Sequence, residues 1–326
     1  MATIKDVARQ ADVSIATVSR MMNNPDVVSE KTRKKIYKTM QELNYQPNAM
    51  ARALQAQKSN IIGLIVPVID YAFFSRLTDA VEEACHEHGY KLMLCRSSYE
   101  EEREMEMVSL LQANKVDGIL VCSHVGDASL YTQFNLPIVS IDREIEGIPS
   151  VKADNYNGGV LAAKGLLQAG CRHPLLLAGV VPEYMAMSQR HRGFQDECEK
   201  QGVVVTKFMI DDMIFSTKDQ VALVDFLQSH PEIDGIFANG DMLAARFLLM
   251  VRTPQAQRWK RLPVVGFDGL EIAEFMQLST IAQPIREMGE CAVDLLLRKM
   301  EGKTVPERST LAVTYVERQS TVAEKN

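Results

Sequence analysis

Apolar residues in the first 45 positions recur at helical spacing in three short blocks. The blocks that predict buried helix faces are Ile4, Val7, Ala8 and Ala11, then Val18, Met21 and Met22, then Ile36, Met40 and Leu43. Thr3 with Asp6 forms a capping-box pattern before the first block, and Ser14 and Ser29 can cap the second and third. The pattern predicts a small all-α domain over residues 1–46.

From residue 60 onward, short apolar runs alternate with amphipathic helical segments. The runs that predict buried parallel strands are IIGLIVP, KLMLC, DGILVC, PIVSID, HPLLLAG, DGIFAN and LPVVGFD. Strands that alternate with helices are typical of an open α/β fold with parallel sheets. Residues 60–326 are therefore predicted to form an α/β core.

Two pairs of segments in this core resemble each other. LLQANKVDGILV (110–121) is echoed by FLQSHPEIDGIF (226–237), and LPIVSID (136–142) is echoed by LPVVGFD (262–268). Two copies of one βα scheme predict two similar lobes. Asp142 and Asp268 end equivalent strands, and ligands of open α/β sheets bind beyond the carboxyl ends of strands. We therefore expect both aspartates to face a cleft between the lobes.

The charge of the chain is unevenly distributed. Residues 1–58 carry ten Lys and Arg against five Asp and Glu, a net charge of +5, whereas the rest carries 26 against 37, a net charge of −11. A small basic terminal domain on an acidic body is typical of a nucleic-acid-binding module. The start MATIKDVARQ lacks the apolar core of a signal peptide, and no apolar run has the length of a membrane helix, so we expect a cytoplasmic protein without a membrane partner.

The six cysteines are scattered through apolar segments without paired spacing, which favours buried free thiols over a metal or disulfide site. No metal cluster, nucleophile elbow or phosphate loop stands out, and the sequence predicts no cofactor. Asp142 and Asp268 can instead be the acid and base of a glycosidase, which is the enzymatic alternative. Hydrogen bonding to sugar hydroxyls without catalysis is the interpretation that we favour.

The predicted second helix carries the chemistry of a helix that reads the major groove. Small residues allow close approach, hydroxyls bind phosphate and a planar donor recognises guanine; Ala16, Thr17, Ser19 and Arg20 supply these groups. Three short helices with this arrangement predict a helix-turn-helix unit. The plainer alternative is a small helical bundle whose polar residues are merely solvated.

The segments TIKDVARQADVSIATVSRMMNNPDVVSEKTRKKI and ELNYQPNAMARAL strongly resemble the DNA-binding headpiece of the lactose-repressor and galactose-repressor family. The resemblance implies that Ile15 and Ala16 select the operator and that Arg20 reads a guanine edge. It also implies a set of residues that contact or orient the DNA backbone, namely Ser14, Thr17, Ser19, Asn23, Tyr45 and Asn48. The expected partner is double-stranded operator DNA with a pseudo-palindromic sequence.

Residues 47–59, which include PNAMARALQAQ, are predicted to form a hinge helix and linker. The alanines favour a helix, but one this short is marginal alone in water. In the family this helix pairs with its twin in a second subunit, so the resemblance implies a homodimer or tetramer. It further implies that Ala51 lies at the DNA and that Leu54 wedges into a central base step of the minor groove. A flexible linker is the alternative.

The core resembles the effector-binding core of the same family, a two-lobed fold shared with periplasmic sugar-binding proteins. The motifs that carry the resemblance are DNYNGGVLAAKGLLQAG, RHRGF, VVGFDGLEIAEF and STIAQPIREMGECAVDLLL. The effector-binding residues that we expect are Phe73, Phe74, Ser75, Asp142, Arg190, Asn239, Asp241, Asp268 and Gln283. Arg190 is expected to offer paired donors, and Ser75 to begin a helix. Gly240 departs from the family pattern, so a polar contact there is lost or shifted to Asn239.

Together these features predict a non-enzymatic transcriptional repressor whose effector is a small sugar or sugar phosphate of a carbohydrate-utilisation operon. The nearest alternative is a global catabolite regulator of the same family that answers to a phosphorylated carrier protein. A transport-type binding protein is opposed by the basic headpiece.

Overall fold

The computed structural model describes residues 2–45, 58–122, 131, 134, 136–183, 185–210 and 215–322. The chain divides into two compact units, Met1–Ser59 and Asn60–Asn326. We call the first unit the headpiece and the second the core.

The headpiece consists of helices α1 (Ile4–Gln10), α2 (Ile15–Asn23) and α3 (Glu30–Glu42), with a 3-10 turn at Pro25–Val27. Thr3 and Asp6 form a reciprocal capping box, and Ser14 and Ser29 each accept a hydrogen bond from the third residue along. The caps were predicted, and all three are confirmed. The side chains that fill the headpiece interior are Val7, Ala8, Ala11, Val18, Met21, Val28 and Ile36.

The core alternates strands with helices as the apolar pattern predicts. Its strands are β1 (Ile61–Val66), β2 (Lys91–Arg96), β3 (Gly118–Val121), β4 (Ile138–Ile141), β5 (Ser150–Ala153), β6 (Pro174–Gly179), β7 (Thr206–Ile210), β8 (Gly235–Ala238), β9 (Val264–Asp268), β10 (Ser279–Ala282), β11 (Arg308–Leu311) and β12 (Thr314–Val316). Its helices are α4 (Ala72–Glu87), α5 (Glu101–Ala113), α6 (Asn155–Gln168), α7 (Ser188–Lys200), α8 (Thr217–Ser229), α9 (Asp241–Met250), α10 (Glu271–Phe275) and α11 (Ile285–Met300), with a 3-10 turn at Gln257–Trp259.

The strands form two sheets of six with the same topology. The first has the order β11-β5-β4-β3-β1-β2 and the second the order β12-β10-β9-β8-β6-β7. Neighbouring strands are parallel except for the β10–β12 pair, which is antiparallel. The echoed sequence segments therefore occupy equivalent places: β3 matches β8, and β4 matches β9. The two-lobed α/β architecture predicted from the sequence is confirmed.

The chain passes between the two lobes three times. It leaves the first lobe after β5, returns after β10 to form α11 and β11, and leaves again to form β12. Helix α11 packs on α4 and on the first sheet, which completes the first lobe with residues from the end of the chain. Each lobe is thus built from two separate segments of sequence.

Helices α6 and α7 lie in unusually close contact because two glycines face the opposite backbone. A Cβ atom on Gly159 would lie 2.0 Å from the carbonyl oxygen of Arg190, and one on Gly193 would lie 2.0 Å from that of Tyr156. No side chain fits in either place. The glycines of the NYNGG and RHRGF motifs therefore bring the first turns of the two helices together.

One predicted boundary is wrong. Ser75 was expected to begin a helix, but α4 already begins at Ala72, with Tyr71 as its N-cap residue. The sequence offers no capping side chain here, and Tyr71 makes no side-chain cap bond. The helix starts where it does because Phe73, Phe74 and Leu77 pack into the core of the first lobe.

Candidate functional site

Asp142 directly follows β4, Asp268 is the last residue of the equivalent strand β9, and the two share an uncommon backbone conformation. Their φ angles are 56° and 111°, which is a region that residues other than glycine seldom occupy. Such strain is retained where the surrounding structure enforces it, and it is concentrated at functional sites. The two aspartates mark the carboxyl ends of the two sheets, where an open α/β fold binds its ligand.

The Asp268 carboxylate accepts hydrogen bonds from three side chains. Arg190 Nη1 lies 3.2 Å and Gln283 Nε2 lies 2.8 Å from Oδ1. The hydroxyl of Tyr71, which belongs to the first lobe, donates to Oδ2 over 3.1 Å. Asp268 is 3% exposed. It therefore forms a buried ion pair and also a hydrogen bond across the cleft.

Arg190 lies in the first turn of α7 and is 2% exposed. Its Nε donates to Oδ1 of Asn155 over 2.5 Å, and its Nη1 also donates to the backbone oxygen of Asn239 over 2.8 Å. The guanidinium stacks on the Phe267 ring with 3.7 Å between its carbon and the ring centroid. The expected planar donor is thus present and held in one orientation, with its bonds directed to protein groups.

Asp142 has a sparser environment than Asp268. It is half-buried, and Nδ2 of Asn155 donates to its Oδ1 over a long 3.5 Å. Burial raises the pKa of Asp142 to about 6, against the opposing effect of the Arg190 charge; the nearby Asp268 charge raises it further. Asn155, the first residue of α6, therefore connects Asp142 of the first lobe to Arg190 of the second.

Asn239 follows β8 and is buried. Its amide nitrogen lies 3.3 Å from Nε2 of His191 and 3.5 Å from the sulfur of Met187. Burial and the adjacent Arg190 charge lower the pKa of His191 to about 4, so the imidazole is neutral at pH 7. A neutral Nε2 can accept the amide proton of Asn239.

Gln283 follows β10 and offers an acceptor that the protein leaves unused. Its Nε2 donates to Asp268, while its buried Oε1 has no hydrogen-bond partner among the described residues. A buried amide oxygen without a partner costs free energy unless a bound molecule or water supplies a donor. Gln283 was among the expected effector-binding residues, and its position beside Asp268 fits that prediction.

Asp241 bonds to residues next to the site and not to Arg190 or Gln283. It is fully buried at the start of α9, and its carboxylate accepts hydrogen bonds from the backbone nitrogen of Leu270 (2.7 Å) and the hydroxyl of Thr280 (2.5 Å). Burial and the charge of Asp268 raise its pKa. These bonds hold the turn after β9 against β10, so the geometry favours a positioning role for Asp241 over direct contact with a ligand.

The expected residues of α4 are only partly brought to the cleft. Phe73 and Phe74 are buried in the core of the first lobe, with ring centroids 5.3 Å apart. The Phe74 ring also packs against the ring of Tyr71 at 6.0 Å. Ser75 is exposed, and its hydroxyl donates to backbone oxygens of Ile69 and Tyr71.

Sequence reasoning missed several residues of this network, namely Tyr71, Asn155, Phe267 and His191. Asn155 and Phe267 stand within the motifs DNYNGG and VVGFD, next to residues that were singled out. Their adjacency to Arg190 depends on how the two helices and β9 pack, and a linear pattern does not contain that information. For Tyr71, the signal was its place directly after the first strand and its connecting turn.

In the headpiece, α2 presents the expected set of residues. Ile15 is 44% exposed, Ala16 and Arg20 are exposed, and Thr17 and Ser19 are half-buried. Arg20 has no ion-pair or hydrogen-bond partner within the described part of the chain. By contrast, three of the α3 cations are paired: Arg33 with Asp26, Lys34 with Glu30 and Lys38 with Glu42. Arg20 lies on α2 itself, so its guanidinium is available to a base edge.

The other predicted DNA contacts stand as follows. Ser14 accepts a hydrogen bond from the backbone of Thr17, and its hydroxyl lies 2.8 Å from the Thr17 hydroxyl. Tyr45 packs against the headpiece interior. The side chain of Asn23, and the whole of Asn48, Ala51 and Leu54, lie outside the described residues, as does most of the predicted hinge helix.

Over the described residues, no cluster of three or more His, Cys, Asp or Glu is arranged to hold a metal ion, and no helix has the length and apolarity to cross a membrane. The six cysteines are free, and all except the half-buried Cys291 are buried. Burial raises the pKa of each thiol, to about 12 for Cys85, Cys171 and Cys198. Thiols with such pKa values are unreactive at neutral pH.

The fold and the site together define a class of protein: a two-lobed core with a polar interlobe cleft, joined to a three-helix headpiece with a groove-reading helix. Comparison with known proteins agrees. Residues 3–48 match the family model described as bacterial regulatory proteins, lacI family. Residues 59–319 match the one described as periplasmic binding proteins and sugar binding domain of the LacI family.

Relatives match over nearly the whole chain. A ribose operon repressor from Halalkalibacterium halodurans is 34% identical over 100% of this chain and 99% of its own. A sucrose operon repressor from Streptococcus mutans is 33% identical over 98% of this chain and 99% of its own. A solved lac repressor dimer, bound to operator and the anti-inducer ONPF, is 25% identical over 99% of both chains, with a TM-score of 0.85. The chain belongs to the LacI family of bacterial transcriptional regulators.

Proposed function

We propose that this protein is a sequence-specific DNA-binding repressor of a carbohydrate-utilisation operon, and that a neutral sugar in the interlobe cleft controls it. The observation that carries the effector half is the buried polar array of Arg190, Asp268 and Gln283, in which Gln283 Oε1 has no hydrogen-bond partner among the residues that the structure describes. A sugar hydroxyl is both donor and acceptor, so it can satisfy Gln283 while it bonds to the neighbouring groups. The relatives named for ribose and sucrose operons support a carbohydrate.

The charges of the cleft favour a neutral sugar over a sugar phosphate. Among the described residues, the cations that act on Asp142 are Arg190 and Lys152, and both already have partners: Arg190 pairs with Asp268 and Lys152 pairs with Glu144. His191 adds no charge because its pKa is lowered to about 4. A phosphate carries a charge of about −1.5 to −2 at pH 7 and needs cations or backbone donors that these residues do not supply.

The site is suited to binding and not to hydrolysis. A glycosidase needs one carboxylate free to act as a nucleophile or base and one carboxylic acid that can donate a proton. Both oxygens of Asp268 already accept hydrogen bonds from Arg190, Gln283 and Tyr71. We infer that the protein catalyses no reaction and that Asp142 and Asp268 serve as hydrogen-bond acceptors for the effector.

The headpiece acts on operator DNA through α2. Ile15 and Ala16 contact base edges, Arg20 recognises a guanine, and Ser14, Thr17 and Ser19 bind the phosphate backbone. Asn23, Tyr45, Asn48, Ala51 and Leu54 retain the roles expected from the sequence. We expect a homodimer on a pseudo-palindromic site, because a symmetric dimer places two recognition helices one turn of DNA apart. Its place of action is then the cytoplasm.

The effector half is tested by thermal melting with D-ribose, sucrose, other neutral sugars and their phosphates. A ligand present at about 100 times its Kd stabilises the folded state by about 2.7 kcal/mol, which raises the melting temperature by several degrees. We expect this shift with a neutral sugar and none with its phosphate. Arg190→Ala should abolish the shift.

Arg192→Ala is the matched control, because Arg192 lies on the same helix but is exposed and pairs with Asp196. It should keep the full shift. A shift with phosphates alone would contradict the charge argument, and a shift with no sugar would redirect the search to a protein co-regulator such as a phosphorylated carrier.

The DNA half is tested by selecting bound sequences from random duplexes and measuring affinity at several salt concentrations. We expect a pseudo-palindrome, and we expect Arg20→Ala to cost about 1–3 kcal/mol at a single base position of each half-site. Arg9→Ala is the control, because Arg9 lies on α1 and pairs with Asp6. Equal sequence preference in wild type and Arg20→Ala would contradict the role given to Arg20.

A further inference from the structure

Tyr71 joins the two lobes through a side-chain hydrogen bond at the centre of the cleft. Its backbone belongs to the first lobe, directly before α4, and its hydroxyl donates to Oδ2 of Asp268 in the second lobe over 3.1 Å. Burial and the Asp268 charge raise the pKa of Tyr71, so the hydroxyl keeps its proton at neutral pH. The donor at Asp268 Oδ2 is therefore part of the protein itself.

Gly240 provides the space for this hydroxyl. A Cβ atom at position 240 would lie 3.0 Å from the Tyr71 oxygen and 3.5 Å from Oδ2 of Asp268. The φ angle of Gly240 is −164°, an extended conformation that any residue adopts, so the backbone does not require glycine here. What a side chain would disturb is the contact between Tyr71 and Asp268.

A second bond from the same helix reaches the same turn. Arg76, one helical turn after Tyr71, donates from Nη1 to the backbone oxygen of Gly269 over 3.0 Å. Two neighbouring side chains of the first lobe thus contact two consecutive residues of the second. Because the Arg76 bond is exposed and the Tyr71 bond is not, the Tyr71 bond is the stronger contributor.

The groups that donate hydrogen bonds to Asp268 come from both lobes. Arg190 and Gln283, which belong to the second lobe, occupy Oδ1, while Tyr71 occupies Oδ2. A hydroxyl that approaches Oδ2 of Asp268 from the same side as Tyr71 competes with the phenol for that oxygen. The phenol makes the bond to Asp268 that a sugar hydroxyl would make: it donates one hydrogen bond to a buried carboxylate.

We propose that Tyr71 is an internal competitor of the effector, whose hydroxyl occupies the effector's place on Asp268 and holds the lobes together until an effector displaces it. Gly240 is the positioning residue that admits the Tyr71 hydroxyl. The competition rests on the effector site proposed above, whereas the contact between the lobes does not.

The first experiment needs no effector and measures hydrogen exchange of backbone amides in the full-length protein. Tyr71→Phe removes the hydroxyl and keeps the ring. We expect amides of the segment 268–283 to exchange about fivefold faster, as expected for the loss of one buried hydrogen bond. Gly240→Ala should produce a smaller increase in the same segment, because it displaces the hydroxyl without removing it.

Tyr156→Phe is the matched control. Tyr156 also donates to an aspartate, Asp196, over 2.9 Å, but this bond joins α6 to α7 within the second lobe. Tyr156→Phe should leave exchange in 268–283 unchanged. Unchanged exchange in Tyr71→Phe, or equal acceleration in Tyr156→Phe, would overturn the proposed contact between the lobes.

The second experiment measures the affinity of D-ribose and sucrose by calorimetry for wild type, Tyr71→Phe and Tyr156→Phe. Competition predicts that Tyr71→Phe binds the active sugar about three- to tenfold more tightly, since no phenol must be displaced. Weaker or equal binding would overturn the competition. Binding of neither sugar to either protein would contradict the effector site and the competition with it, while the exchange result would still decide the contact.

Discussion

Asp142 and Asp268 occupy the same place in two lobes of the same topology, yet their environments differ. Both stand at the carboxyl end of the fourth strand of their lobe, and both have positive φ. Asp268 is buried and accepts bonds from Arg190, Gln283 and Tyr71, whereas the hydrogen bond to Asp142 from Asn155 is 3.5 Å long. The duplicated fold thus places a carboxylate at the same position in each lobe. The packing around them gives Asp268 three hydrogen-bond donors and Asp142 one weak donor.

This difference shows what each lobe contributes to the proposed effector site. The second lobe carries an assembled binding surface, because Arg190, Asp268 and Gln283 already hold one another. The first lobe contributes Asp142, whose pKa is raised and whose bonding is incomplete. A carboxylate with few partners gains most from a new hydrogen-bond donor. We therefore expect the effector to bind first to the second lobe, where it displaces the Tyr71 hydroxyl, and then to bond to Asp142.

The largest effect is expected when each aspartate is replaced by alanine. Asp268→Ala leaves the Arg190 charge buried without its partner and should lower the free energy of unfolding by about 3–5 kcal/mol at pH 7. Asp142→Ala should not lower it by more than about 1 kcal/mol, because no buried cation is left unpaired. Denaturant titration followed by fluorescence of Trp259, the single tryptophan, measures both.

Asp294→Ala, which removes an exposed ion pair with Arg298, is the control and should cost less than about 1 kcal/mol. An equal loss in the free energy of unfolding for Asp142→Ala and Asp268→Ala would contradict the asymmetry between the lobes.

The next largest effect is the change in folding stability with pH that Asp142 causes. Its pKa is raised from 3.8 to about 6, so the folded protein favours the protonated carboxyl. The stability that this gives is complete below about pH 3.8 and is lost as the pH rises through about 6. Wild type should therefore lose about 1–3 kcal/mol relative to Asp142→Asn between about pH 4 and pH 7; partial exposure of Asp142 favours the lower end. Denaturant titration of both proteins at both pH values measures this loss. A stability difference between wild type and Asp142→Asn that is the same at both pH values would contradict the prediction.

The smallest effect on stability is expected at Gln283. Gln283→Met removes the bond to Asp268 but also removes the buried amide oxygen that has no partner, so the free energy of unfolding should change by less than about 1 kcal/mol. Sugar affinity, measured by calorimetry, should nevertheless fall about tenfold. The control is Gln168→Met at an exposed position of α6. Full affinity in Gln283→Met would show that the amide does not contact the effector.

Much of the fold could be predicted from the sequence. The seven apolar runs coincide with β1–β4, β6, β8 and β9. For all of these except β2, a partly exposed edge strand, the reason is that a strand buried on both faces needs a continuous apolar segment. Strands β5, β7, β10, β11 and β12 were missed. Their sequences SVKA, TKFMI, STIA, RSTL and TYV are short or polar, since they lie towards the sheet edges or at the crossings between lobes. Such strands are specified by their neighbours and not by periodicity.

The candidate site was predicted in part, and for a similar reason. Asp142 and Asp268 were found because they end echoed strands, and Arg190 because the RHRGF motif resembles that of the family. Tyr71 had only its place after the first strand as a signal, and His191 reaches the network through tertiary packing, which the sequence pattern does not contain. The hydrogen bonds of Asp241 to Leu270 and Thr280 likewise depend on the turn after β9.

The three passages of the chain between the lobes have a consequence for how the protein is made. The first lobe needs α11 and β11, which lie after residue 284, and the second needs β12, which follows them. During synthesis from the N-terminus, neither lobe can complete its core until almost all of the chain has left the ribosome. A chain cut before Thr314 therefore lacks β12, and one cut before Arg308 also lacks β11, so a short truncation at this end removes strands from both lobes at once.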